Sequence, residues 1–151
     1  MLNANSEQLR QSAQTKKEAA KALIIGKSPH YPVPAAYLAH VALECALKYR
    51  ILVRNKAKHI EELRRRLPRS VFDGLFSGIS GHDLHHLERT AGLARFLTAI
   101  GSESLLDREE WRLMGGDRPY SLRYGCEKVP VSHASRQVEF AGQLASLILQ
   151  D

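Results

Sequence analysis

At 151 residues, 44 % hydrophobic and 25 % charged, the chain has the size and balance of one globular domain (1–151) able to bury a self-sufficient core, which excludes an intrinsically disordered polymer. Two cysteines, Cys45 and Cys126, offer neither a disulfide framework nor metal-ligand spacing, and no apolar run approaches the roughly 20 residues that span a bilayer. The formal charge of +6 is unevenly spread: from Lys48 to Arg69 nine Lys and Arg stand against only Glu61 and Glu62, which accounts for the whole excess.

The first residues, MLNANSEQLRQ, lack the basic-then-apolar layout of a signal peptide, so a cytoplasmic protein is expected. Leu9, Ala13, Ala20, Leu23 and Ile24 recur at helical spacing and predict a helix over 6–25 with Ser6 as its N-cap. Gly26 stops it. The three prolines of GKSPHYPVP forbid continuation, and Pro34 suits the first turn of a second helix reaching about Asn55.

Within that second helix His40, Glu44 and Lys48 are spaced four apart, a polar stripe beside the apolar Leu38, Val41, Ala42, Cys45, Ala46, Tyr49, Leu52 and Val53. Glu44 and Lys48 are expected to pair at the edge of an interhelical cleft. That edge borders either a phosphate-accepting groove or plain solvent or a dimer interface. Cys45 reads as core, since nothing places a base beside it.

KHIEELRRRL forms a shorter helix on Ile60, Leu63 and Leu67 until Pro68 interrupts, and SVFDGLFSGIS reads as an apolar loop or single turn. SGHD, residues 80–83, places Ser80 as N-cap with Asp83 three residues on, opening a helix that buries Leu84, Leu87, Ala91 and Ala94 and ends near Gly101. LLDREEWRLMGG adds a short helix stopped by Gly115 and Gly116. A loop then covers about 115–131. A last helix, 133–149, aligns Val138, Ala141, Leu144, Ala145 and Ile148. With no alternating strand pattern and no repeat, the expected fold is all-α: an antiparallel up-and-down bundle of four main helices plus one or two short ones.

YLAHVALECALKYRIL, the later GHDLHHL and the SLRYG before the last helix together resemble the HEPN superfamily, in which a Glu-x-x-x-Lys helix precedes a His-Asp-Leu helix start and an Arg-Tyr-Pro follows. Glu44 and Lys48 match the first element, His82, Asp83 and Leu84 the second, and Arg123 and Tyr124 the third, with Gly125 in the place of the proline. The resemblance implies a helical bundle that forms homodimers and binds RNA or nucleotide. It also implies a nucleotidyltransferase or an antitoxin as partner.

Some HEPN proteins are metal-independent ribonucleases carrying Arg, four to six residues, then His, with Asn, Asp or His just after the Arg. The histidine moves the proton of the ribose 2′-hydroxyl while a permanent guanidinium holds the phosphate. Arg54-Asn55-Lys56-Ala57-Lys58-His59 is the stretch that fits, making Arg54 and His59 the candidate catalytic pair. Its position after the second helix differs from the late position in the active family members.

Further candidate contacts to RNA or nucleotide are Lys48, Arg64, Arg65 and Arg66 of the basic segment, and Arg118, Tyr120, Arg123 and Tyr124, which supply guanidinium for phosphate and aromatic face for base. The plain alternative is that the tyrosines anchor the loop and the arginines stay in water. His82 and His86, four apart, with Asp83 or Glu88 fall short of the three or four ligands zinc requires, so neither metal nor cofactor is expected. Two alternatives stand beside the binding module: a toxin- or defence-type ribonuclease, and a helical interaction subunit whose basic segment meets an acidic protein.

Overall fold

A computed structural model describes residues 3–25, 31–93, 109–116, 118–125 and 127–150. In chain order its helices are α1 (Ser6–Ile25), α2 (Pro32–Arg54), α3 (Ile60–Arg66), α4 (Arg69–Phe76), a 3-10 turn at Ile79–His82, α5 (Leu84–Ala91), α6 (Glu109–Leu113), α7 (Arg118–Arg123) and α8 (Val131–Gln150). Among the described residues the only β feature is an isolated antiparallel bridge between Asn5 and His59.

The helix ends follow from side chains that satisfy orphan backbone groups. Asn5, not Ser6, caps α1: its Oδ1 accepts from Gln8 N at 2.8 Å while Gln8 Oε1 accepts from Asn5 N at 2.9 Å, a reciprocal box. Pro32 begins α2, where its missing N–H costs nothing, and Asn55 ends it. Residues read as a loop after Pro68 form α4, whose Phe72 and Leu75 are buried. The SGHD stretch also differs from expectation. Asp83 is the cap, accepting from His85 N at 3.0 Å, and Ser80 lies in the preceding 3-10 turn. Gly92 in the left-handed region, φ +70°, stops α5 well before Gly101. Ala94 and Gly101 lie outside the described residues, as does Cys126. The expected loop 115–131 contains α7.

Three long helices, rather than four, dominate the described residues. Ser6 N donates to Lys58 O beyond the end of α2, Cys45 meets Ser12, and Ile24 packs beside Ala36, so α1 and α2 run antiparallel. Lys17 reaches Ser146, and α1 residues near Glu7 lie beside Leu149, so α1 is antiparallel to α8 as well. The up-and-down expectation fails at α5. Its start lies beside Glu44 and its end beside Arg54, so α5 runs parallel to α2. The short elements between Ile60 and His82 carry the chain back along α2 before α5 begins.

α2 is packed by α1, α8, α5 and α7, and its alanines 35, 36, 39, 42 and 46 let those neighbours approach closely. Leu43, Leu47, Ile51 and Leu52 are fully buried, each contributing about 2 kcal/mol of transfer free energy. Trp111 of α6 joins this core: His85 Nε2–H donates to Trp111 O at 2.6 Å and the two rings lie 4.8 Å apart.

Candidate functional site

Because α2 is covered on so many sides, its polar stripe is not a solvated edge. His40 is fully buried, and its Nε2 donates to the carbonyl of His82 at 3.0 Å, leaving a bare Nδ1 with no partner among the described residues. Burial holds its pKa down at about 4, against opposing pulls from the His82 carbonyl and Glu44 and in concert with Arg118. Glu44, 7 % exposed, accepts from Lys48 Nζ at 2.7 Å and meets His82 Nδ1 at 3.1 Å through both oxygens. Burial pushes the Glu44 carboxyl up, but His82 and Lys48 together outweigh it and hold the group below the usual carboxylate range. Lys48 Nζ also lies 5.5 Å from the Phe76 ring centroid.

An ionised carboxylate only accepts, so His82 carries a proton on Nδ1, and in the neutral ring Nε2 is the lone pair. That is the arrangement by which a carboxylate orients an imidazole to take a proton. His82 is half-buried, and Tyr120 of α7 meets it edge-on with ring centroids 5.6 Å apart. Residues from the Glu-x-x-x-Lys, His-Asp-Leu and pre-α8 segments therefore meet around one imidazole.

The other residues of the α7 segment divide. Arg118 is 7 % exposed and spent on structure: Nη1 donates to Leu113 O at 2.7 Å, Nη2 to Gln137 Oε1 at 3.0 Å, and Glu127 pairs with it at 3.1 Å. Burial lowers its pKa and Glu127 opposes the shift. Arg123 is exposed, its guanidinium 5.7 Å from the Tyr124 ring centroid, and Tyr124 is 69 % exposed. The partners Glu127, in the segment before α8, and Gln137, on α8, carry no sequence signal of their own, because they meet Arg118 only when the chain folds.

The basic segment sits at the other end of α2. Arg54 Nη1 donates to Thr90 O at 3.3 Å, capping the C-terminus of α5, and its guanidinium lies where a side chain on Gly92 would be. His59 is the N-cap of α3, its Nδ1 accepting from Glu62 N at 3.1 Å. Accepting at Nδ1 places the proton of a neutral ring on Nε2, so this His59 has no free lone pair with which to act as a base. Arg54 and His59 thus each serve a different helix end.

Arg64 pairs with Glu61 at 3.6 Å, Arg66 with Glu62 and with Asn55 O, and Arg69 with Asp73. Arg65, Lys56 and Lys58 are exposed and form no ion pair among the described residues. Leu122 of α7 packs with Ala36 near the start of α2, whereas Arg54 ends it. At about 1.5 Å per residue the two ends are roughly 27 Å apart. The structure does not gather the basic segment and the Arg123–Tyr124 pair into one small recess.

Among the described residues no group of three or more His, Cys, Asp or Glu could hold a metal ion. No helix among them is long and apolar enough to cross a membrane. No family model, no curated protein and no solved structure matches the chain.

Proposed function

We propose that this protein is a HEPN-like helical module that dimerises and binds RNA through the cationic end formed by the turn after α2 and by α3. The observation that carries the reading is the meeting of Glu44, Lys48, His82 and Tyr120. Glu44, Lys48 and His82 come from two of the three segments on which the resemblance rests, and Tyr120 directly precedes the third, SLRYG, more than 70 residues after Glu44 in the chain. In this reading the cluster is the frame, and the exposed Arg64, Arg65, Lys56 and Lys58 meet phosphate.

The separation along α2 selects between ligands. A ligand that engages both Arg65 and the Arg123–Tyr124 pair must span roughly 27 Å, about eight nucleotides at about 3.4 Å per step. A mononucleotide is too short to reach both, so in this reading RNA is the ligand that can use the two together. Arg118 and Lys48, held in internal contacts, contribute framework and not ligand contacts.

Fluorescence anisotropy with labelled oligoribonucleotides of four and twelve residues at low salt tests this. The twelve-mer should bind more tightly, and Arg64, Arg65 and Arg66 changed together to Gln should weaken it about tenfold or more. Absence of binding at low salt overturns the reading and leaves the acidic-protein subunit. A ribonuclease reading through Arg54 and His59 requires the His59 cap to open. Cleavage in EDTA that vanishes in His59→Ala would restore it.

A further inference from the structure

On the outer side of the bundle, where α1 and α8 lie against each other, runs an open groove of about 940 Å³. Ile24 and Ile25 border it from α1, and Val138 and Leu147 from α8, with Ile25 64 % exposed. It is lined by the C-terminal half of α1, from Lys17, and by α8 from Ser135 to Leu147, and no described element covers it.

The charges on its walls are informative. On α1, Lys17 is engaged by Ser146 at 3.0 Å and by Glu18 at 3.8 Å. Lys21 on α1 and Glu139 on α8 line the same groove, and neither makes an ion pair or side-chain hydrogen bond among the described residues. A Cβ on Gly142 would lie 3.6 Å from Lys17 Cγ, which fixes the relative height of the two antiparallel helices. One turn further along α1, and one turn back along α8, Lys21 stands level with Glu139.

A lone cation on one wall and a lone anion at the same height on the other is a self-complementary pattern. Rotation by a twofold axis parallel to the groove carries the α1 wall of one copy onto the α8 wall of the other at unchanged height. Each Lys21 then faces the other copy's Glu139, α1 packs antiparallel on the second copy's α8, and the isoleucines at the groove's end are covered. A twofold across the groove would instead set α1 against α1 and leave both charges unmatched.

We propose that this groove is the surface through which two copies of the chain associate, with reciprocal Lys21–Glu139 pairs setting the register of a four-helix interface. The inference rests on the dimeric part of the function proposed above and is independent of RNA.

Sedimentation velocity on the full chain over a concentration series tests it, with circular dichroism melting to verify that each variant folds. Wild type should be a dimer. Lys21→Glu and Glu139→Lys should each weaken the dimer about tenfold by setting like charges together on both sides of the twofold, and the double reversal should restore it. Ile25→Asp should weaken it without rescue. A dimer unchanged in all these variants overturns this surface while leaving dimerisation intact, and failure of the double reversal to restore association overturns the register. A wild type that stays monomeric overturns both, leaving the groove to a different helix.

Discussion

The middle of α2 and the α3–α4 segment that follows it hold the same kinds of residue and treat them oppositely. Toward the middle of α2, His40, Glu44 and Lys48 are enclosed by α5, α7 and the 3-10 turn, and every charge has a partner. Past its end, Arg64, Arg66 and Arg69 each find a carboxylate within one turn while remaining largely in water. Acid and base at i and i+3 or i+4 describe both. What separates them is how many helices pack over the stretch, so spacing alone does not distinguish a buried network from a solvated face.

The sharpest way to break this comparison is to remove Glu44. Glu44→Ala leaves a buried ammonium without its carboxylate and should cost about 3 to 5 kcal/mol in urea unfolding. A loss under about 1 kcal/mol would put the inner cluster in the same class as the surface pairs.

Acid should act next. His40 folds with a pKa of about 4 against an ordinary 6.5, so the unfolded chain takes up this proton first as pH falls. Stability should therefore drop between pH 6.5 and about 4, by on the order of 3 kcal/mol, and be unaffected by this group above that window. Glu44, held below the usual carboxylate range when folded, loses its contribution as pH falls through that range and adds to the decline. Chemical denaturation across pH in His40→Leu should flatten the upper part of the slope.

A smaller effect is expected where the two regions meet. Gly92 has φ +70°, and a Cβ there would stand 1.8 Å from Arg54 Nη1. Gly92→Ala should cost about 1 to 2 kcal/mol, and part of that should vanish in an Arg54→Ala background, a coupling that a double-mutant cycle measures. Least of all, Arg64→Gln or Arg65→Gln should shift stability by no more than about 0.5 kcal/mol.

α1, α2 and α8 are legible in the sequence because apolar residues recur at helical spacing over some 20 positions and proline or glycine marks their limits. Short elements are not. α4 and α7 have too few turns for a period to emerge, and at the SGHD stretch both Ser80 and Asp83 qualify as caps. The direction of α5 depends on how α3 and α4 turn the chain, which no local pattern encodes. The Glu44–Lys48 pair is readable from its spacing. The carboxylate's second partner, His82, is 38 residues away and becomes visible only when the helices pack.

The central claim is that the exposed end, not the buried cluster, meets phosphate. Its most direct test is the salt dependence of RNA affinity for wild type and for the variant with Arg64, Arg65 and Arg66 changed to Gln. The slope of log affinity against log salt should be steep in wild type and shallower by about 2 in the variant, at unchanged folding stability. Equal slopes in the two proteins, or no affinity at low salt, would contradict it.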